Sequence, residues 1–319
     1  MKKLAIIICS FFLLLFTKNV YASNFVYVSG ASIGIKLNTD VEVLGTYGVS
    51  TDNEVLTPWK NLIYEHDIIK KINDEVINSA DFLERKIQSS KGKEIVLDIL
   101  RQNENKKVKI KAAKTKNNYS LGLYIKDCDI GVGTLTFCKE DGKYASLGHK
   151  MVDKEIKGGS LYFSSVTGIV KPRGNTPGEK KAVLNKTVIG NVSQNTNIGV
   201  YGTLSNLDVL KNMEKMEVAT KDDIHKGTAY ILTCISSNTV ERFDVEIKDY
   251  VIQRKGEEKG IKLRITDSRL ESITGGIIQG MSGSPIIQDG KLIGALSHVS
   301  LKNPLDGFGC YADFMLDNI

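Results

Sequence analysis

The spacing of apolar residues predicts a small α+β unit over residues 25–113. Ser79 is placed to cap a helix that carries Leu83 and Ile87 at helical spacing. The remaining apolar runs alternate with polar residues, as strands that bury one face do. These runs predict strands at Ser32–Leu37, within Leu62–Val76 around a tight turn at Asn73-Asp74, at Ile95–Leu100 and at Val108–Ile110.

The pattern changes after the polar stretch Lys111–Ser120, which we interpret as a linker. From Leu121 to the end of the chain, short runs of β-forming residues are separated by Gly, Asn and Asp turns. No long amphipathic helix interrupts them. This spacing predicts a second domain over residues 121–319, built as an all-β barrel or sandwich.

The first residues have the pattern of an export signal. Lys2 and Lys3 precede the apolar run Leu4–Phe16, and Ala22 ends a short segment suited to cleavage. This run of 13 residues falls short of the roughly 20 that span a bilayer. We therefore predict a signal peptide over residues 1–22, with an uncleaved signal anchor and membrane association as the alternative. Either one places the rest of the chain outside the cytoplasm.

The composition of the chain argues against two classes of function, nucleic-acid binding and metal or cofactor binding. The 319 residues carry a net charge of +6, but Lys residues are interspersed with acids and form no basic stripe, which argues against nucleic-acid binding. Beyond the signal, four cysteines lack metal-ligand spacing, so neither a metal nor another cofactor is expected. Cys128 and Cys138 could form a disulfide between neighbouring strands, or all four could be small buried hydrophobes.

The run Gly280–Pro285 is the strongest chemical motif. It precedes two apolar segments joined by an Asp289-Gly290 turn, which predict a β-hairpin. A serine on such a Gly-flanked turn is exposed, so Ser282 is the candidate nucleophile, and the N–H groups of Gly280 and Ser282 are the candidate oxyanion hole. The run resembles the Gly-Asp-Ser-Gly-Gly-Pro motif of chymotrypsin-like peptidases. It is not an α/β-hydrolase elbow, because Ser284 replaces a required glycine and no helix follows.

A serine nucleophile needs a base. His66 lies in the α+β unit and His225 in a polar stretch, so neither is expected beside Ser282. His149 follows a predicted strand in the second domain, and His298 lies in the strand after the hairpin. Spacing alone leaves both His149 and His298 open.

The α+β unit resembles a PDZ domain in the run from Asp67 to Glu75, although His66 stands where that family has glycine. A PDZ domain binds an extended peptide at a strand edge. The resemblance implies that backbone N–H groups of Ile33, Gly34 and Ile35 receive a terminal carboxylate. The alternative is a structural domain without a ligand.

Eight further runs of the second domain follow one family pattern: Gly122–Ile125, Gly131–Phe137, Leu147–His149, Pro177–Glu179, Gly202–Leu204, Leu263–Asp267, Gly275–Ile286 and Ile293–Val299. With these runs, the export signal and the PDZ-like unit, nearly the whole chain resembles the stage IV sporulation protein B family of serine peptidases. The resemblance implies a mainly β fold, with the PDZ-like domain followed by a chymotrypsin-like double β-barrel. It also implies His149 as base, Asp267 as acid and Ser282 as nucleophile; Asp153 is a second candidate for the acid.

The same resemblance implies a role in sporulation. Such a peptidase enters the space between the two forespore membranes, cleaves a regulatory membrane protein, and thereby triggers processing of the sigma factor K precursor. It also processes itself, and the PDZ-like unit is expected to bind its own termini or the target. We further hypothesise that His298 lines the S1 pocket. The alternatives are a scaffold with an inactive peptidase domain and a serine esterase.

Overall fold

The computed structural model describes residues 24–220 and 222–319. The predicted signal at residues 1–22 lies outside the described residues. Within them, every helix is too short or too polar to cross a membrane. The helices are α1 (Ala80–Ser90), α2 (Ser268–Thr274) and α3 (Ala312–Leu316), with one 3₁₀ segment at Leu207–Asn212.

Strands make up most of the described chain, and we number them in chain order. Those of the first part are β1 (Phe25–Val28), β2 (Ser32–Thr46), β3 (Val49–Ser50), β4 (Val55–Leu56), β5 (Ile68–Ile72), β6 (Glu75–Val76), β7 (Glu94–Arg101), β8 (Glu104–Lys111), β9 (Ala113–Lys114), β10 (Tyr119–Ser120) and β11 (Leu123–Cys138). Those that follow are β12 (Lys143–Ser146), β13 (Gly159–Val170), β14 (Glu179–Thr196), β15 (Gly199–Leu204), β16 (Glu214–Val218), β17 (Gly227–Thr233), β18 (Glu241–Tyr250), β19 (Ile261–Ile265), β20 (Pro285–Gln288), β21 (Lys291–Val299) and β22 (Asp306–Tyr311).

Six strands close into a first antiparallel barrel. The pairings run β2–β11–β12–β15–β14–β13 and return to β2. Closure removes the free sheet edges that an open sheet would expose. Alternating residues of these strands point inward and fill the barrel with a buried core that includes Ile33, Ile35, Leu135, Tyr144 and Leu161.

Six further strands close a second antiparallel barrel, in the order β17–β18–β19–β22–β21–β20 and back to β17. Its core includes Ile231, Phe243, Leu263, Ile286 and Leu296, all of them buried. The predicted hairpin after Ser282 is confirmed as β20 and β21, with Asp289 in the left-handed region at φ 49°.

A third buried cluster joins the barrels. It brings Val26 of β1 and Phe137 of β11 together with Ile287 and Leu292 of the β20–β21 hairpin. Strand β1 pairs with β11, and β16 pairs with both β1 and β21, so the sheet continues from one barrel to the other. The prediction of a mainly β fold with a double β-barrel is confirmed.

The α+β unit is inserted into the first barrel. Its core extends from Val41 to Leu121, and both boundary strands, β2 and β11, run on into the barrel. The unit therefore begins near residue 39 and ends near residue 125, whereas the sequence suggested residues 25–113. The stretch interpreted as a linker instead forms the β9–β10 hairpin, which Gln88 of α1 holds through two hydrogen bonds to Tyr119.

The predicted helix cap and tight turn within the α+β unit are confirmed. The Ser79 hydroxyl accepts a hydrogen bond from the N–H of Phe82 at 3.1 Å and so caps α1. Asn73 and Asp74 both have positive φ, as the tight turn between β5 and β6 requires.

The predicted peptide-binding residues are wrong. Ile33, Gly34 and Ile35 lie in the middle of β2, where one edge pairs with Gly131–Gly133 of β11 and the other with Leu161–Phe163 of β13. Because both edges of the strand are already paired, no backbone N–H remains for a peptide carboxylate. These residues build the first barrel.

The disulfide between Cys128 and Cys138 is also excluded. Both residues lie on β11, ten positions apart, and a strand rises about 3.3 Å per residue. Their Cα atoms are therefore far beyond disulfide range. All four cysteines described are free, and Cys138, Cys234 and Cys310 are buried.

Candidate active site

Ser282 lies in the tight loop that enters β20, at the junction of the two barrels. The loop faces a cavity of about 830 Å³. His149, which follows β12 of the first barrel, lines the same cavity, as do Gly280 and His298. The fold thus brings together residues that are 133 positions apart in the sequence.

The loop leaves two backbone donors available. Gly280 has φ +91°, a conformation that favours glycine, and Met281 donates its N–H to Ile278 O at 3.1 Å. The N–H groups of Gly280 and Ser282 have no hydrogen-bond partner among the described residues. An oxyanion hole needs unpaired backbone N–H donors beside the serine hydroxyl, and the residues on either side of Met281 provide two of them.

Two threonines of β11 hold this loop in place, and the sequence analysis did not find their role. The Thr134 hydroxyl donates to Gly280 O at 3.0 Å, and the Thr136 hydroxyl donates to Gly283 O at 2.8 Å. The Thr134 N–H also bonds Ser282 O at 2.8 Å. Both threonines are fully buried in the last part of β11, Val132–Cys138, which is otherwise apolar. Polar residues at alternate positions of a buried strand were the only available signal.

His149 is held at the end of a sharp turn. Leu147 and Gly148 both have positive φ, and a Cβ atom on Gly148 would lie only 3.2 Å from both Leu296 O and Cys310 Sγ. The Nδ1 atom of His149 lies 2.7 Å from Lys150 O. Since a carbonyl oxygen only accepts, Nδ1 carries the proton and Nε2 has the free lone pair. This is the tautomer that a general base needs.

Ser282 and His149 are not yet hydrogen-bonded to each other. The Ser282 hydroxyl instead donates to Ser297 O at 3.2 Å. Catalytic hydrogen bonds are often loose in ligand-free enzymes and tighten when substrate binds. A rotation about the Cα–Cβ bond of Ser282 would release its hydroxyl from Ser297 O.

Asp267 occupies a different place from the one expected. Its carboxylate caps α2, accepting hydrogen bonds from the N–H groups of Arg269 and Leu270, and it pairs with the Arg269 guanidinium at 3.1 Å. Burial by itself raises the pKa of Asp267, but these hydrogen bonds more than offset it and hold the pKa below its usual range. Asp267 does not line the Ser282 cavity.

The second candidate acid, Asp153, does not line the cavity either. The Asp153 side chain is fully exposed, and its ion pair is with Lys150 at 4.0 Å. In the described part of the chain, neither carboxylate bonds His149, and the Lys150 carbonyl performs the orienting role.

Two substitutions at Asp267 distinguish a role in capping helix α2 from a role in catalysis. Asn is as good an N-cap as Asp, so Asp267→Asn is expected to keep both the unfolding free energy and the peptidase rate near those of the wild type. Asp267→Ala is expected to lower the unfolding free energy by about 0.5–2 kcal/mol, measured by urea titration. A loss of about 10⁴ in kcat for Asp267→Asn, with unchanged stability, would instead make this carboxylate the catalytic acid.

His298 lies on β21 next to His149, with ring centroids 5.2 Å apart. Its Nε2 is 3.6 Å from the Glu258 carboxylate, and its Nδ1 is buried without a hydrogen-bond partner among the described residues. Burial lowers the pKa of His298, and the neighbouring His149 lowers it further. His298 therefore presents a neutral imidazole to the cavity that contains Ser282.

Comparison with known proteins assigns the family. A family model described as SpoIVB peptidase S55 matches residues 117–316. The chain belongs to the SpoIVB peptidase family. It is therefore a serine peptidase, as the sequence resemblance implied. No curated protein matches the chain.

Two solved structures of the protease Rv3671c from M. tuberculosis are similar to part of the chain. The first is an inactive form of a serine-to-alanine mutant, with 12% identity and a TM-score of 0.35, and the match covers 59% of this chain and 79% of that one. The second is the active form, with 11% identity and a TM-score of 0.36, covering 59% and 72%. The double barrel described above follows from the strand pairings of this chain itself.

Proposed function

We propose that this SpoIVB-family peptidase cleaves peptide bonds with Ser282 as nucleophile and His149 as general base. The observation that carries the proposal is the pair of unpaired N–H groups, at Gly280 and Ser282, in a cavity that both Ser282 and His149 line. Neither a metal nor another cofactor is part of the proposed reaction.

The Ser282 oxygen attacks the scissile carbonyl carbon, while its proton passes to Nε2 of His149. The electron pair of the C=O double bond moves to oxygen, where the Gly280 and Ser282 N–H groups stabilise the negative charge. The C–N bond then breaks, and the amine leaves with the proton from His149. Water repeats the sequence on the acyl-enzyme and releases the second product.

We extend the proposal to the biological role. The family and the export pattern of residues 1–22 support an endopeptidase that works outside the cytoplasm, in the space between the two forespore membranes. Its substrate would be a regulatory membrane protein whose cleavage triggers processing of the sigma factor K precursor. The enzyme would also cleave itself.

The role is tested in an endospore-forming host that carries either the natural chain or Ser282→Ala at equal abundance. We expect the variant to accumulate the uncut sigma factor K precursor and to lose self-cleavage fragments, both followed by immunoblot. Normal precursor processing with Ser282→Ala would refute the sporulation role, even if the purified enzyme proved active.

We also propose a different peptide-binding site in the α+β unit. A groove of about 510 Å³ lies between α1 and the start of β11, with Leu83 and Ile87 on one side and Leu123 and Ile125 on the other. In the described chain, this part of β11 pairs only with β2 and leaves its second edge unpaired. An extended peptide could add there as a strand, with an apolar side chain between α1 and β11. The proposed occupant is an extended apolar segment of the protein substrate, since the last residues of this chain are packed in the buried cluster between the barrels.

The groove is tested with a library of synthetic peptides that end in an apolar residue, and with the chain carrying Ser282→Ala, which prevents cleavage. Leu123→Glu is expected to weaken binding at least about tenfold in a fluorescence titration, because it places a charge on the half-buried wall of the groove. Val76→Glu, on the exposed β6 strand, is the matched control and should bind like its parent. Equal affinity for both variants would rule out the groove.

A further inference from the structure

Lys180 is attached directly to the loop that carries the candidate oxyanion hole. It lies at the start of β14 and donates its N–H to Gln279 O at 2.9 Å, while the Gln279 N–H donates to Gly178 O at 2.8 Å. These two bonds fix the backbone of Lys180 beside the residue that precedes Gly280. Lys180 also lines the Ser282 cavity, although it is only 5% exposed.

The Lys180 side chain runs beneath Gly280. A Cβ atom on Gly280 would lie 3.1 Å from both Cβ and Cδ of Lys180, so the two residues are in contact. The Lys180 Nζ then donates a hydrogen bond to the Thr233 hydroxyl of β17 at 2.9 Å. Because Nζ is two bonds of about 1.5 Å beyond Cδ, the ammonium lies within about 6 Å of that Cβ position and within about 7 Å of the Gly280 Cα atom.

This buried cation has no carboxylate partner among the described residues, and Thr233 is the one hydrogen-bond partner of its ammonium there. Its neighbour Lys181 is exposed and pairs with Glu179. Burying an ammonium without an anion is costly. Burial lowers the pKa of Lys180 to about 8, and a negative charge on Cys234 of β17 would raise it. At neutral pH the group is therefore still mostly charged.

We propose that the Lys180 ammonium stabilises the oxyanion of the transition state through space, from beneath the Gly280 and Ser282 N–H groups. The inference rests on the proposed roles of Ser282 and Gly280. A neutral substrate carbonyl gains little from a nearby cation, whereas the negatively charged tetrahedral oxygen gains much in this low-dielectric environment. The cation thus acts on kcat more than on KM. The oxyanion that forms during the reaction would supply the negative charge that Lys180 lacks in the resting enzyme.

The proposal implies an alkaline limit to activity. As pH rises through about 8, Lys180 loses its proton, and the cation that stabilises the oxyanion disappears. The other titratable groups near the site are Cys234, whose thiol pKa is raised by burial, His298, whose pKa is lowered by burial, and His149, Glu179 and Lys259. Neither Cys234 nor His298 has its pKa shifted toward this range.

The test compares Lys180→Met with Lys181→Met, the matched control on the adjacent position. We expect Lys180→Met to lower kcat by about 10- to 100-fold with KM nearly unchanged, and to abolish the alkaline decline. Lys181→Met should match the wild type in rate and in pH profile. A Lys180→Met enzyme that is less stable but keeps kcat and the alkaline decline would show a purely structural lysine and overturn the proposal.

Thr233→Val keeps the lysine and covers the case in which Lys180→Met does not fold. It removes the hydrogen-bond partner of Nζ, so the ammonium is less stable and the alkaline decline should move to lower pH. An unmoved decline would overturn the proposal. If instead the wild type shows no activity that depends on Ser282, the proposed function fails before Lys180 is tested.

Discussion

Ser282→Ala is expected to lower kcat for peptide cleavage by about 10⁶-fold, because removal of the nucleophile leaves only binding and the oxyanion hole. The fold should be unaffected, since the lost hydroxyl bonds only Ser297 O and is half-buried. The measurement is hydrolysis of a peptide library, with self-cleavage fragments followed by mass spectrometry.

Ser284→Ala is the control for this variant. Its hydroxyl donates to Met281 O at 2.7 Å inside the same loop, and its loss should cost about 1 kcal/mol of stability and less than tenfold in rate. Identical fragments from the wild type and Ser282→Ala would show that another residue, or another enzyme, cuts the bond. Hydrolysis of small esters without peptide cleavage would indicate an esterase.

His149→Ala is expected to lower kcat by about 10⁴- to 10⁶-fold, because it removes the proposed general base. The Lys150 carbonyl fixes the proton on Nδ1, so the basic lone pair is on Nε2. The fold should persist, since the His149 ring is only half-buried. Single-turnover kinetics with an excess of enzyme measure the chemical step directly.

His298→Ala is the matched variant at the neighbouring ring in the same cavity. We propose that His298 reads the side chain that precedes the cleaved bond, so this variant should keep a measurable rate while its preference at that position changes. An unchanged preference would remove His298 from the S1 pocket. If His298→Ala were inactive while His149→Ala remained active, the assignment of the base would reverse.

The amino-acid sequence by itself determined features that depend on neighbouring residues. Ser79 caps α1, Asn73-Asp74 turns between β5 and β6, and the Asp289-Gly290 hairpin follows Ser282. Each depends on backbone conformations and hydrogen bonds within a few positions, which residue type already restricts. The nucleophile motif belongs to the same class, since a Gly-flanked serine implies a tight turn wherever the chain places it.

Tertiary structure decided which residues meet. An alternating run such as Ile33–Leu37 is compatible with a free strand edge and with a strand paired on both sides, and only barrel closure distinguishes them. An aspartate before a helix can be a cap or a catalytic acid, and the packing of α2 made Asp267 a cap.

The side chains that hold the nucleophile loop in place could not be predicted from the sequence either. Thr134, Thr136 and Lys180 reach Gly280 or Gly283 across more than 90 positions of chain, through contacts that exist only when the two barrels pack together. Residue type and spacing therefore determined the local turn that exposes Ser282. The long-range packing alone determined what orients that turn and which charge lies beneath it.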